Sequence, residues 1–341
     1  MDKILVAFFD VKDIEKEYLY KYKPDNCEFI MFSEPLHKNL ENIINKVSNA
    51  EILSVFTSSN APANLLKQLP NLKLVTTRST GFNNVDLDYC KEHNIPVVNV
   101  PRYGDCTVAE FAFGLLLNVM RKISISYQNL REGIINIQGD IGHDLMGKTI
   151  GIIGTGAIGC HTVKIANGFG MKILCYDPYP KLEMTEKYNV KYVSLDELLK
   201  ESDIISIHAP STKENFHMIN DDCFNKMKKG VVIINTARGE IMDTQALYKA
   251  IKNGIVAGAG LDVLECEDIL TNEEQYLMKV DCIRQECLSK TLINHKLLEM
   301  PNVIITPHVA FDTVEAIYRI LKTTIDNING YTSGNVINKV N

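Results

Sequence analysis

The sequence predicts an α/β protein with two parallel sheets, each covered by helices on both faces. Three observations predict it. At 341 residues the chain exceeds what one hydrophobic core usually serves. Short apolar runs alternate with polar segments of helical spacing along nearly its whole length. That alternation pauses once, at Pro101 to Asp105, and then begins again.

In the first series, strands are expected at Ile4–Phe9, Glu28–Phe32, Ile52–Phe56, Leu72–Thr77 and Pro96–Val100. Each is a short apolar run bounded by polar or turn residues. Leu40–Ser48 and Ala63–Leu69 carry apolar residues at helical spacing between them. After the linker a long helix is expected over Thr107–Ser126. Its core face would carry Val108, Phe111, Ala112, Leu115, Leu116 and Val119. A Gly- and polar-rich stretch, Arg131–Lys148, follows.

The second series predicts strands at Thr149–Gly154, Lys172–Asp177, Lys191–Val193, Asp203–His208, Val231–Thr236, Gly258–Asp262 and Val303–Thr306. Helices are expected over Ala157–Phe169, Leu195–Ser202 and Thr244–Asn253. The loosely patterned Ile269–Leu298 reads as helical turns. Thr313–Ile328 is amphipathic and is expected to return to the first domain, which makes that domain discontinuous.

Composition removes several classes. Apolar residues at 45% and charged residues at 23% are ordinary globular usage, which argues against disorder, collagen-like repeats and a coiled coil. A net charge of -6 gives no global attraction to nucleic acid or anionic lipid. Ile4–Phe9 is too short for a signal-peptide core. Phe111–Met120 is about half the ~20 residues that span a bilayer. The expectation is a cytoplasmic protein with no membrane and no nucleic-acid partner. The nine cysteines are scattered, odd in number and lack a C-x-x-C pair, so reduced buried thiols are expected rather than disulfides or a metal site.

Gly154-Thr-Gly156-Ala-Ile-Gly159 matches G-x-G-x-x-G, follows the strand Thr149–Ile153 and opens a helical segment. Gly154 permits the tight turn, Gly156 lets amides approach a pyrophosphate, and Gly159 lets helix pack on strand. The helix N-terminus then faces the negative charge. An acidic residue is expected at the end of the next strand, about 20 residues on, and Asp177 stands there. Its carboxylate would accept both ribose hydroxyls and repel a 2′-phosphate, which favours NAD over NADP.

Ligands of such a sheet lie beyond the carboxyl ends of its strands. Val231–Ala237 leads directly to Arg238, Gly258–Leu261 to a set of carboxylates ending at Glu267, and Val303–Pro307 to His308; Asp203–Ile207 ends on His208. A guanidinium, a carboxylate and an imidazole at a nicotinamide are what reduction of a 2-oxo acid needs. The guanidinium grips the carboxylate bidentately and polarises the neighbouring carbonyl. The histidine supplies a proton, and the glutamate raises its pKa.

At these residues the chain resembles the D-isomer-specific 2-hydroxyacid dehydrogenase family, nearest its bacterial D-lactate dehydrogenase branch. The likeness runs through Thr80–Asp88, Asn99–Tyr103, Val108–Glu110, His143–Lys148, the glycine loop, Phe169–Met171, Asp177–Pro180, Glu201–Asp203, Asn235–Gly239, Leu261–Val263 and Pro307–Phe311. It implies a Rossmann NAD-binding domain over 102–308 and a discontinuous, flavodoxin-like substrate domain over 1–101 and 309–341, both doubly wound. The family's catalytic arginine, glutamate and histidine fall on Arg238, Glu267 and His308. Glu267 rather than Glu265 is implied, because the family's acid sits five residues after the counterpart of Asp262.

Further cofactor contacts would fall on Ala157, Ile158, His208, Ala209, Pro210, Asn215, Thr236, Ala237, Arg238 and Asp262. Thr80, Gly81 and Tyr103 would join Arg238 and His308 in holding substrate. Arg102 departs from the small residue usual beside that tyrosine, and the middle of Arg78-Ser-Thr-Gly81 departs from the usual loop. The resemblance implies an NAD-dependent enzyme, a homodimer, acting on a small 2-oxo or 2-hydroxy acid with pyruvate foremost. The same chemistry on a larger or phosphorylated acid, and a non-catalytic dinucleotide sensor, are the competing expectations.

Overall fold

A computed structural model of the chain describes residues 3–36, 40–135, 141–271 and 285–341. It divides into two compact units, Met1–Tyr103 with Asp312–Asn341, and Gly104–Phe311.

The first unit holds strands β1 (Ile4–Phe8), β2 (Cys27–Met31), β3 (Ile52–Val55), β4 (Leu74–Thr77) and β5 (Val97–Val98). They form one sheet in the order β2-β1-β3-β4-β5, every pair parallel. This is the flavodoxin-like order. Alternation along the strands feeds two cores. Ala7, Leu53, Val75 and Val97 face one side. Val6, Phe8, Ile52, Leu74 and Val98 face the other, where Ile317, Leu321, Ile325 and Ile328 cover them. Those four lie on the helix Val314–Thr332, so the end of the chain completes the first unit. Thr313 caps that helix by accepting from the Ala316 amide at 3.2 Å. Two side-chain bonds tie it to the strand-end segment: Arg319 Nε donates to the Tyr103 carbonyl at 2.6 Å and Asn327 Nδ2 to that of Asn99 at 2.9 Å.

The second unit holds β6 (Thr149–Ile153), β7 (Lys172–Tyr176), β8 (Lys191–Tyr192), β9 (Ile204–Ile207), β10 (Val231–Asn235), β11 (Val256–Leu261) and β12 (Val303–Ile305). Their order is β12-β11-β10-β9-β6-β7-β8, again parallel throughout. This is a Rossmann sheet with a seventh strand, and its direction of winding reverses between β6 and β9. Ile153, Ile205, Ile207 and Ile233 pack on one face, and Ile150, Ile152, Ile204 and Ile234 on the other. Both faces being covered explains why these strands read as continuous apolar runs.

The helix expected over Thr107–Ser126 is two helices, Asp105–Arg121 and Ile123–Arg131. Lys122 between them is left-handed, with φ at +52°. Asn118 reaches past the break, its Oδ1 accepting from the Ser124 amide at 2.8 Å and its Nδ2 donating to Ser124 Oγ at 2.7 Å, so a side chain replaces the helical ladder there. Strand β11 starts at Val256, ahead of the expected Gly258.

The cysteine expectation is corrected: Cys266 and Cys287 form a disulfide with Cα atoms 5.7 Å apart. The two are far apart in the chain, and only the packing of the helix Gln285–Leu298 beside residue 266 brings them together, so spacing carried no trace of it. Cys27, Cys90, Cys175 and Cys223 are free buried thiols. Cys282, residues 136–140 of Arg131–Lys148 and residues 272–284 of Ile269–Leu298 lie outside the described residues. Among those described, no helix is long and apolar enough to cross a membrane.

Candidate active site

The glycine loop lies at the point where the second sheet reverses its winding. Gly154 follows β6 at φ +90°, a conformation strained for any side chain, and a Cβ there would press on the Ala209 amide nitrogen beyond β9. A Cβ on Gly159 would collide with the Gly154 carbonyl, so helix and turn meet at backbone contact. The helix Ala157–Gly168 then starts with Gly156 as its N-cap, which no side chain caps. A Cβ built on Gly156 meets nothing within 4 Å, so the space beside the first helical amides is open. Asp177, after β7, is wired into this turn. Its Oδ2 accepts from the Thr155 amide at 2.6 Å and Thr155 Oγ1 at 2.9 Å, and its Oδ1 from the Tyr179 amide at 2.8 Å. A carboxylate offers about four acceptor positions, so this arrangement leaves capacity for about one ribose hydroxyl rather than two.

The ends of β10, β11 and β12 assemble a second group. Arg238 follows β10 in extended backbone and donates from Nη1 to the Ala237 carbonyl at 2.6 Å. Asn235 holds this turn, its Oδ1 accepting from the Ala237 amide at 3.0 Å and its Nδ2 donating to the Arg238 carbonyl at 3.0 Å. Gly239 sits so tightly on Leu264 and Glu265 that a Cβ would overlap their backbone. That contact brings the segment carrying Glu267 beside the segment carrying Arg238.

Asp262, buried after β11, clamps the loop after β12. Its Oδ1 accepts from Thr306 Oγ1 at 2.6 Å and the Val309 amide at 2.9 Å, its Oδ2 from the Ala310 amide at 2.9 Å, and its carbonyl from the His308 amide at 2.9 Å. Burial pushes its carboxyl pKa up, and these donors with the His308 charge only partly offset that. His308 is held at φ +54°, a costly conformation that the clamp maintains. Its Nδ1 lies 2.7 Å from Glu267 Oε1, while Glu267 Oε2 accepts from the Leu264 amide at 3.0 Å. Partial burial works against an imidazolium, and Arg238 repels it. The bond and charge of Glu267, with Asp262 behind, outweigh both and hold the His308 pKa above its ordinary value.

The remaining expected residues fall as follows. His208 is buried with Nε2 turned to Ser206 Oγ at 2.8 Å and Thr162 Oγ1 at 3.1 Å, inside the unit rather than toward the glycine loop. Burial drops its pKa to about 4. Ala209 and Pro210 follow it, and Asn215 closes their loop by donating to the Pro210 carbonyl at 2.6 Å and accepting from the Thr212 amide at 2.7 Å. Thr236 is buried, and its Oγ1 has no hydrogen-bond partner among the described residues. In the first unit, Thr80 Oγ1 donates to the Val100 carbonyl at 3.1 Å, Gly81 accepts from Ser79 Oγ at 2.6 Å, and Tyr103 is anchored by Arg319.

Sequence reasoning missed a buried ionic cluster around Glu265, joined by His217 and Lys290. Its members lie on three separate segments and match no local motif. Among the described residues no group of three or more His, Cys, Asp or Glu is placed to hold a metal ion. The glycine turn, the uncapped helix start and the Thr236 hydroxyl do fit a dinucleotide, supplying amides for phosphate and one donor with no acceptor among the described residues.

Residues 113–310 match the NAD binding domain of the D-isomer specific 2-hydroxyacid dehydrogenases. The chain is 36% identical over 331 residues to the D-lactate dehydrogenase of Escherichia coli, covering 96% of this chain and 97% of that one. It is 35% identical over 326 residues to an aromatic 2-oxoacid reductase of Clostridium sporogenes, covering 92% and 95%. The D-lactate dehydrogenase of Aquifex aeolicus complexed with NAD and lactic acid superposes with a TM-score of 0.83 at 36% identity, covering 96% of each chain. Sheet order, glycine turn and these likenesses agree, and the chain belongs to the D-isomer-specific 2-hydroxyacid dehydrogenase family as an NAD-dependent oxidoreductase.

Proposed function

We propose that the protein is a D-lactate dehydrogenase that reduces pyruvate to D-lactate, with Arg238, Glu267 and His308 as its catalytic set. The observation that carries the proposal is the 2.7 Å contact between Glu267 and His308 Nδ1 on the β12 loop, beside Arg238. Its likeness to the D-lactate dehydrogenases of Escherichia coli and Aquifex aeolicus supports pyruvate as substrate.

NADH, when bound, supplies the hydride. Gly154, Gly156, Ala157, Ile158 and Gly159 would hold its phosphates through backbone, and Asp177 would take a ribose hydroxyl. Ala209, Pro210, Asn215, Thr236, Ala237 and Asp262 would supply its other contacts, with His208 contributing backbone only because its ring faces inward. Arg238 grips the substrate carboxylate with two parallel N–H donors and draws charge from the adjacent carbonyl. His308, protonated, donates from Nε2 to the forming alkoxide while Glu267 accepts at Nδ1 and keeps the ring oriented. In the oxidative direction neutral His308 takes the proton back.

A panel of pyruvate, 2-oxoisocaproate, phenylpyruvate, hydroxypyruvate and phosphohydroxypyruvate tests the substrate. Pyruvate is expected to give the highest kcat/KM. The specific alternative is a bulkier acid, favoured by the similarity to the Clostridium sporogenes enzyme, and phenylpyruvate far above pyruvate would replace the lactate reading with it.

The protein is further proposed to act in the cytoplasm, where NADH is available, and as a homodimer. Ile123, Tyr127, Leu130, Ile135, Ile141 and Met146 are all at least 55% exposed and follow one another along the second unit. A self-complementary contact would bury them. Light scattering should give twice the mass of one chain, and Leu130→Asp with Ile135→Asp should halve it.

A further inference from the structure

The helix Gln285–Leu298 holds the segment just before Glu267 at three points. Cys287 is bonded through sulfur to Cys266. Lys290 Nζ lies 2.6 Å from Glu265 Oε1. Asn294 Nδ2 donates to the Glu265 carbonyl at 2.9 Å. These three residues share one helix face. From the other side the Glu265 carboxylate is held by His217 Nε2 at 2.7 Å and the Thr244 amide at 3.0 Å.

Cys266 itself stands at φ +54° between the two glutamates. A β-carbon in that region is costly, and the surroundings must hold it there. Glu265 is fixed by charge and hydrogen bonds, whereas Cys266 is tied covalently to Cys287 and through its carbonyl to the Ile269 amide at 3.2 Å. The next peptide aims Glu267 at His308. In an NADH-using protein of the cytoplasm, a disulfide persists only if it resists the thiol pool or responds to it.

We propose that the Cys266–Cys287 disulfide is a redox-controlled positioning link: closed, it fixes Glu267 against His308, and opened by a dithiol reductant, it lets Glu267 withdraw and slows proton transfer. This rests on the assignment of Glu267 and His308 as the proton-handling pair. The step balances as ordinary exchange. A thiolate of the dithiol attacks one sulfur, the Cys266–Cys287 bond breaks, and the second thiol displaces the mixed disulfide. The chain gains two electrons and two protons as two thiols, and the reductant leaves as its own disulfide. The charged groups facing His308 in the closed state are Glu267, Asp262 and Arg238. Withdrawal of Glu267 removes the nearest stabilising charge and leaves the repulsive Arg238. His308 therefore loses its proton at lower pH when the link is open.

The test uses purified wild-type enzyme, prepared without reductant and again after dithiothreitol, with peptide mapping by mass spectrometry to read the Cys266–Cys287 bond. Reduction is expected to lower kcat for pyruvate reduction on the alkaline side of the profile, by up to about 10²-fold, as for a misplaced catalytic group. It should move the alkaline limb of the pH profile to lower pH and leave the KM for NADH unchanged. Cys287→Ser should match the reduced enzyme and ignore dithiothreitol. Should that variant fail to fold, Lys290→Met, which removes the neighbouring ion pair but keeps both cysteines, should lose more kcat on dithiothreitol treatment than the wild type does. Glu267→Gln, measured in parallel, separates the two ideas. If it shifts the pH profile while reduction of the wild type does not, the redox link is overturned and the proton pair stands. If Glu267→Gln leaves the profile unmoved, the pair assignment falls, and the link with it. Free thiols at residues 266 and 287 in unreduced protein would also overturn the link.

Discussion

The His308 amide donates to the Asp262 carbonyl at 2.9 Å, and the amides of the next two residues, Val309 and Ala310, donate to the Asp262 carboxylate. The backbone that presents the imidazole is therefore set by a residue just beyond another strand. Replacing Asp262 by Asn trades an acceptor oxygen for a donor facing amide N–H groups. About 1–3 kcal/mol of stability should be lost, together with kcat, as the loop relaxes from φ +54°. Thermal unfolding and steady-state kinetics check both; an unchanged kcat would release Asp262 from the positioning role.

The raised pKa of His308 fixes the sign of the pH dependence. Reduction needs the protonated ring, so kcat/KM for the oxo acid should hold level below the raised pKa and fall above it. Oxidation of the hydroxy acid should rise over the same interval. Glu267→Gln should move both limbs to lower pH. His308→Ala should cost about 10²–10⁴ in kcat, and a smaller loss would point to another proton donor.

Arg238→Lys keeps the charge and discards the planar fork. The loss of one charge-assisted bond should lower kcat/KM for the oxo acid about 10- to 100-fold, with the Kd for NADH little changed. A matching loss in NADH affinity would mean that Arg238 serves the cofactor instead.

Asp177→Ala removes a ribose acceptor and the anchor of the Thr155 turn together. The KM for NADH should rise and the preference over NADPH should narrow, because the charge opposing a 2′-phosphate is gone. Identical kinetics with both cofactors before and after substitution would remove Asp177 from recognition.

Buried His208 is disfavoured as a cation, with a pKa of about 4 against about 6.5 when unfolded. The stability this contributes is complete above the unfolded pKa and is lost as pH falls from about 6.5 toward 4, up to about 3 kcal/mol. Urea midpoints across that interval should show the slope, and His208→Gln should flatten it.

The parallel strands were legible because both faces of each sheet are buried, so Val231–Ile234 reads as an unbroken apolar run and Ile204–Ile207 is interrupted only by Ser206. The glycine turn was legible because its chemistry is local, one stretch from Gly154 to Gly159. Arg238 and His308 stood out by ending apolar strands. What escaped was long-range or carried by a single side chain. Asn118 ends the helix at Arg121 through its own amide, although the apolar spacing continues past it. Cys266 meets Cys287, and Glu265 meets His217 and Lys290, only once the helices have packed. Asp262 was expected as a cofactor contact, and nothing in its spacing indicated the four bonds through which it holds the His308 loop.

The second face of the first sheet is covered only in part, by Val11 and Leu19, until Ile317 to Ile328 arrive from later in the chain. On the ribosome, residues 104–311 emerge complete while the first 103 residues still lack a wall of their core. The middle of the polypeptide should become protease-resistant before its beginning does, and nascent chains stalled with residues 312–341 still inside the ribosomal tunnel should show that inverted order.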